Sequence, residues 1–184
     1  MQTLTRILRK ELLFNKKLPV CPAVQQESVY VDFIGHGGRA DDDCMGQGKT
    51  QVSPYHMALI TSAIANGGTL MKPYLVDSVT NNAGNVIEKT KPEKYKDLMT
   101  SKEAAQLKDY MTAVTDYGTA SVLGGQNYTA AGKTGTAEYS SDKEKDHSWF
   151  VGIANVDNPE LVISVIIEQA DGSAKAVNIA KKSV

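Results

Sequence analysis

Four consecutive residues, Lys133-Thr134-Gly135-Thr136, combine a cation, two hydroxyls and a position without a side chain. A lysine brings a compact charge with three donors, and a glycine lets another chain approach the backbone. For three or four residues alone, the plainer reading is a surface strand that carries a lysine, so the surroundings decide. Downstream stand a charged turn, Asp142 to Asp146, and the apolar block His147-Ser148-Trp149-Phe150-Val151-Gly152. Upstream stand Tyr117-Gly118-Thr119-Ala120, the run Gly46-Gln47-Gly48-Lys49-Thr50-Gln51-Val52-Ser53-Pro54, and Ala63-Ile64-Ala65-Asn66-Gly67-Gly68. Other reactive types point nowhere in particular. Gly48-Lys49-Thr50 would need a glycine five places before Gly48 to make a phosphate loop, and Asp43 is there. His36, His56 and His147 share no metal-ligand spacing and read as solvated or hydrogen-bonded histidines. Cys21 and Cys44 form no framework. Asp41 to Asp43 read as a solvated loop, and Trp149 as packing under the strand.

The elements that must position these residues follow from periodicity. Leu4, Ile7, Leu8 and Leu12 recur at helical spacing over residues 3–14, and Asn15 and Pro19 end that helix. Residues 20–45 show little periodicity and read as a loop. Ser53-Pro54 predicts a helix start, a hydroxyl cap and then proline in the first turn. Met57, Ile60 and Ile64 form its stripe, flanked by Ala58 and Ala65, and Asn66-Gly67-Gly68 stops it. Residues 74–80 and 85–89 read as a hairpin around Asn81 to Gly84. Thr100 and Glu103 predict a capping box. The helix behind them carries Leu107, Met111 and Val114 and ends at Gly118. Strands are expected at 128–138, 148–154 and 161–168, joined by short turns as an antiparallel meander, with a last helix from 174. The class is mixed α/β, helices packed on an antiparallel sheet.

Composition bounds the function. A chain of 184 residues suits one domain or a large piece of one. With 20 Lys+Arg against 21 Asp+Glu, it lacks the basic excess of a dedicated nucleic-acid binder. No run approaches the ~20 apolar residues that cross a bilayer. Arg6, Arg9, Lys10, Lys16 and Lys17 are not followed by an apolar stretch, so neither a signal peptide nor an anchor is expected.

In this order and spacing the blocks resemble the C-terminal half of the penicillin-binding transpeptidases, and the class B, monofunctional kind most of all. The resemblance runs over residues 46–184 and extends acceptably to 3–19. It implies a partial serine β-lactamase/D,D-transpeptidase-like fold with residues 128–138 as the active-site edge strand. It further implies D,D-transpeptidation in peptidoglycan synthesis, an acyl transfer through a serine ester, at the outer face of the cytoplasmic membrane. The implied ligands are peptidoglycan stem peptides and β-lactams, with no cofactor, metal or nucleic acid. In that reading Lys133 is the catalytic cation for the substrate carboxylate and the proton relay. Thr134, Gly135 and Thr136 bind substrate, and the Thr136 N–H is half of an oxyanion hole.

The family's catalytic elements are S-x-x-K, S-D-N or a relative, and K-T-G. Here S-x-x-K occurs only at Ser140 with Lys143, in the turn after the Lys-Thr-Gly strand, and no S-x-N exists. The expectation is therefore a fragment, inactive alone, that a missing N-terminal half could complement. The alternatives are a non-catalytic module that binds peptidoglycan peptides or a partner, and a serine β-lactamase-like fragment. The domain reading is one partial transpeptidase domain over 1–184: helix and turn at 1–19, a departing segment at 20–45, and the C-terminal half at 46–184. Read one base later, codons for Val24 to Val31 can encode YSKSQFT and those for Asp41 to Cys44 can encode MMTA, both similar to the family's loop and helix. A frame-shift and a divergent loop both account for this segment. Without the nucleophile, incubation with labelled penicillin should leave the intact mass of the chain unchanged. A stable adduct on any serine, Ser140 included, would overturn the fragment reading.

Overall fold

The computed structural model describes residues 52–138, 146–170 and 175–184. The helix expected at 3–14, the segment at 20–45, the charged turn and the Ser140–Lys143 pair lie outside the described residues.

Helix α1 (Pro54–Ala65) starts where the hydroxyl and proline place it: Ser53 Oγ accepts from the His56 N–H at 3.2 Å. It ends at Asn66, beyond which Gly67 takes φ +64°. The helix is apolar nearly all round, so periodicity alone could not choose its inward face. The buried residues are His56, Leu59, Ile60, Thr61, Ala63 and Ile64, while Met57 and Ala65 sit at the margin. His56 is thus a fully buried histidine, not a solvated one. Helix α2 (Ser101–Asp116) carries the complete capping box, with Thr100 Oγ1 accepting from Glu103 N–H and Glu103 Oε2 accepting from Thr100 N–H at 2.8 Å. It buries Ala104, Met111 and Thr115, and Leu107, expected inside, is 37% exposed.

Between the helices lie two small ribbons. β1 (Thr69–Met71) pairs antiparallel with β4 (Lys94–Asp97), and β2 (Ser78–Thr80) with β3 (Val86–Lys89). The second ribbon is the expected hairpin, its turn held by Asn81 Oδ1 accepting from the N–H groups of Ala83 and Asn85, both at 3.0 Å. Its first strand begins at Ser78 instead of 74. The β1–β4 pair was not expected, because strands of three and four residues are too short for a period to register.

The main sheet is the expected meander, with β5 (Ala130–Ala137), β6 (His147–Ala154) and β7 (Leu161–Ile167) in the order β5-β6-β7. Alternation along the strands separates two faces. Ala131 and Ile153 join Leu59, Ile60, Ala63, Ile64 and Met111 in the core under α1 and α2. Phe150 joins Leu123, Val177 and Ala180 on the opposite face, under helix α3 (Ala176–Ser183). α3 is seated by its first N–H, from Ala176, which donates to Ser148 Oγ at 3.0 Å.

Removal of the cap should be visible in solution. Thr100→Ala should cost about 1 kcal/mol at neutral pH by urea denaturation. Hydrogen bonds from the Thr100 backbone and then its side chain hold the Glu103 carboxyl below its ordinary value. Glu103 therefore stabilises the fold above its unfolded pKa, and that contribution is lost as pH falls through the depressed folded pKa. Glu103→Gln should lower stability at neutral pH and flatten its decline over that acid window. An acid limb as steep as that of the original chain would contradict the cap.

Candidate active site

Lys133, Thr134, Gly135 and Thr136 are contiguous in β5, at one edge of the main sheet. The register sets Lys133 opposite Val151, Thr134 opposite Phe150, Gly135 opposite Trp149 and Thr136 opposite Ser148. Lys133 and Gly135 therefore belong to the α1/α2 side of the sheet, Thr134 and Thr136 to the α3 side. An edge strand lets both rows reach past the same rim. Lys133 is exposed, and its Nζ donates to the Thr134 backbone carbonyl at 2.6 Å. Along a strand, the backbone groups of alternate residues point the same way. The Thr136 N–H consequently shares the side on which the Thr134 carbonyl meets the ammonium. An ammonium, two threonines and outward backbone groups on one rim can receive a carboxylate and a carbonyl oxygen.

What holds this rim was not read from the sequence. A Cβ on Gly132 would stand 2.4 Å from Phe150 Cζ, and one on Gly152 would stand 2.6 Å from Phe150 Cε1. The ring of Phe150, 1% exposed, thus lies across two glycines that face each other in the register. Only bare backbone fits there, so Gly132 is required one residue before Lys133. Gly135 is less confined, since a Cβ there would lie 3.3 Å from Trp149 Cβ. The expected opening at Gly135 is on the exposed rim, and Trp149 packs half-buried beside it. A sequence signal for the glycine pair existed in Gly132 and Gly152, each within two residues of an expected strand's functional block, but it needs the register to be read.

Two threonines from α2 and the corner after it complete the surroundings. Thr115 Oγ1 donates to Ala130 O at 2.5 Å, fastening the end of α2 to the start of β5. Thr119 Oγ1 lies 2.6 Å from Thr134 Oγ1. The block Tyr117-Gly118-Thr119-Ala120 was singled out in the sequence, but not this hydroxyl pair. Of the histidines, two are among the described residues and stand apart from the site: His56 is buried in α1, and His147 Nδ1 accepts from Gln169 N–H at 3.0 Å. Among the described residues, no three His, Cys, Asp or Glu side chains gather as a metal site.

The family profile "Penicillin binding protein transpeptidase domain" matches residues 41–184. The chain belongs to that family. It is 34% identical over 158 residues to the peptidoglycan D,D-transpeptidase MrdA of Haemophilus influenzae, covering 75% of this chain and 24% of that protein. Among solved structures, the D,D-transpeptidase domain of a peptidoglycan glycosyltransferase from Eggerthella lenta is 34% identical, with a TM-score of 0.62 over 72% of this chain and 30% of that one. Penicillin-binding protein A of Mycobacterium tuberculosis, in an acyl-enzyme complex with ceftriaxone, is 26% identical, with a TM-score of 0.80 over 98% of this chain and 41% of that one. The chain thus spans about a quarter of the MrdA sequence, 24%. The mixed fold with an antiparallel meander is that of the penicillin-binding transpeptidase domains.

The glycine slot makes a direct prediction for this transpeptidase-family chain. Gly132→Ala should destabilise it by about 1–3 kcal/mol, the usual cost of overpacking. Phe150→Leu, destabilising alone, should cost less in the Gly132→Ala background, giving a favourable coupling in a double-mutant cycle. Strict additivity in urea denaturation would show that ring and glycine do not share the slot.

Proposed function

We propose that residues 46–184 are the Lys-Thr-Gly half of a serine-type D,D-transpeptidase of peptidoglycan synthesis, and that its rim also takes β-lactams. The observation that carries the reading is an exposed lysine beside two threonines on the edge strand of a chain from this family. The acyl-enzyme complex of the Mycobacterium tuberculosis relative supports the β-lactam part.

In this reading the Lys133 ammonium draws the carboxylate of the stem peptide or β-lactam to the rim as a point charge. The hydroxyls of Thr134 and Thr136 donate to that carboxylate. Gly135 keeps the rim low enough for the ligand to lie against the strand. The Thr136 N–H meets the carbonyl oxygen as negative charge builds on it, half of an oxyanion hole. A serine oxygen attacks that carbonyl carbon, the amine or lactam nitrogen leaves with a proton, and an ester remains on the serine. For a stem peptide, the amine of a second strand then displaces the serine. The only S-x-x-K of this sequence, Ser140 with Lys143, follows the Lys-Thr-Gly strand. The serine is therefore assigned to an N-terminal half of the domain, outside the 184 residues of this sequence. The site of action is the outer face of the cytoplasmic membrane. No helix among the described residues is long and apolar enough to cross that membrane.

Isotope-labelled chain titrated with penicillin G should show saturable amide shifts at Lys133, Thr134 and Thr136 by NMR. Lys133→Ala should weaken that binding by about tenfold or more, the worth of a hydrogen bond to a charged group. Raised salt should weaken it in the original chain, since the ammonium is exposed. Spectra that stay unchanged at high penicillin concentration would remove the carboxylate site.

A further inference from the structure

The proposed site leaves the hydroxyl of Thr119 without a role, although it lies 2.6 Å from that of Thr134. We propose that Thr119 is a positioning residue: its hydroxyl donates to Thr134 Oγ1 and so turns the Thr134 proton outward, towards an anionic ligand at the strand edge. The inference rests on the reading of this rim as a carboxylate site.

The corner that carries Thr119 is firmly placed. Gly118 passes so close to α2 that a Cβ would fall 2.8 Å from Val114 Cα. On the other side Ala120 is fully buried with Phe150, and its N–H donates to Val114 O at 3.1 Å. Ser121 N–H donates back to Gly118 O at 3.2 Å. Thr119 is thus held between a glycine pressed on the helix and an alanine sunk in the core. Its hydroxyl arrives at Thr134 without the entropy cost of a mobile loop.

Chemistry decides the direction. Each hydroxyl has one proton and two acceptor lone pairs. If Thr134 donated to Thr119, it would turn only lone pairs towards a carboxylate, and like dipoles would repel. If Thr119 donates, the Thr134 oxygen is polarised and its own proton strengthens as a donor. The Lys133 side chain starts from the other face of the strand, and its Nζ donates to the backbone carbonyl of Thr134. Burial does not demand the pair either. Thr119 is exposed and Thr134 half-buried, so water could satisfy both hydroxyls without it.

The test uses the full chain, titrated by NMR with N-acetyl-D-alanyl-D-alanine and with its C-terminal amide, which lacks the carboxylate. The original chain should bind the acid and not the amide. Thr119→Val, and alongside it Thr119→Ala, which adds no branch, should weaken acid binding about three- to tenfold, the net worth of one hydrogen bond. Both should leave amide shifts in α1 and β7 in place. Thr119→Ser, which keeps the hydroxyl, should bind within about twofold of the original, well inside that hydrogen-bond range. Acid binding that is unchanged in the Val and Ala variants overturns the role of Thr119 and leaves the carboxylate site standing. Equal losses in Ser, Val and Ala variants overturn it in favour of methyl packing. Failure of the original chain to bind the acid removes the carboxylate site and this inference together.

Discussion

The ring of Phe150 sits across Gly132 and Gly152, and most of the site is arranged around that contact. Its ring needs the approach of two strands without side chains, which is why both positions of the pair are glycine. Once seated, the ring reaches in three directions. It fixes β5 against β6 at the residue before Lys133, meets Val177 and Ala180 of α3, and closes over Leu123 and Ala120 of the corner behind the rim. A buried aromatic side chain covers about 150–250 Å², so a single residue supplies much of the adhesion on that face. The rim can present polar groups to solvent because its fixity comes from beneath.

That division of labour solves a problem inherent in an edge strand. An unpaired edge is a template for another chain, which is useful for a ligand that lies along it and hazardous for solubility. Lys133, exposed on the rim and donating to the strand's own carbonyl, places a charge where an unwanted strand would add. The same cation is the one proposed to attract a carboxylate. On the inner side Ala131 and Ile153 merge into the α1/α2 core. Thr115 ties the end of α2 to Ala130, at the start of the rim strand.

The sequence by itself determined what local chemistry determines. Ser53-Pro54 set the start of α1, and Thr100 with Glu103 set the start of α2, because a cap is satisfied within three residues. The meander was legible because β6 and β7 are apolar runs joined by turn residues, with the Lys-Thr-Gly strand directly ahead of them. The family was legible because Lys133-Thr134-Gly135 occurs together with the Trp149 to Gly152 block and the run from Gly46, and the joint pattern is far rarer than its parts. Tertiary structure decided the rest. The inward face of α1 depended on what packs against an almost wholly apolar helix, so buried His56 could not be foreseen. β1 and β4 pair Thr69 with Asp97 across 28 residues, and Thr119 meets Thr134 across 15. Gly132 and Gly152 become a slot only when the register sets them opposite each other. Each is a contact between segments whose own residues are indifferent to it, and only the folded chain brings them within ångströms.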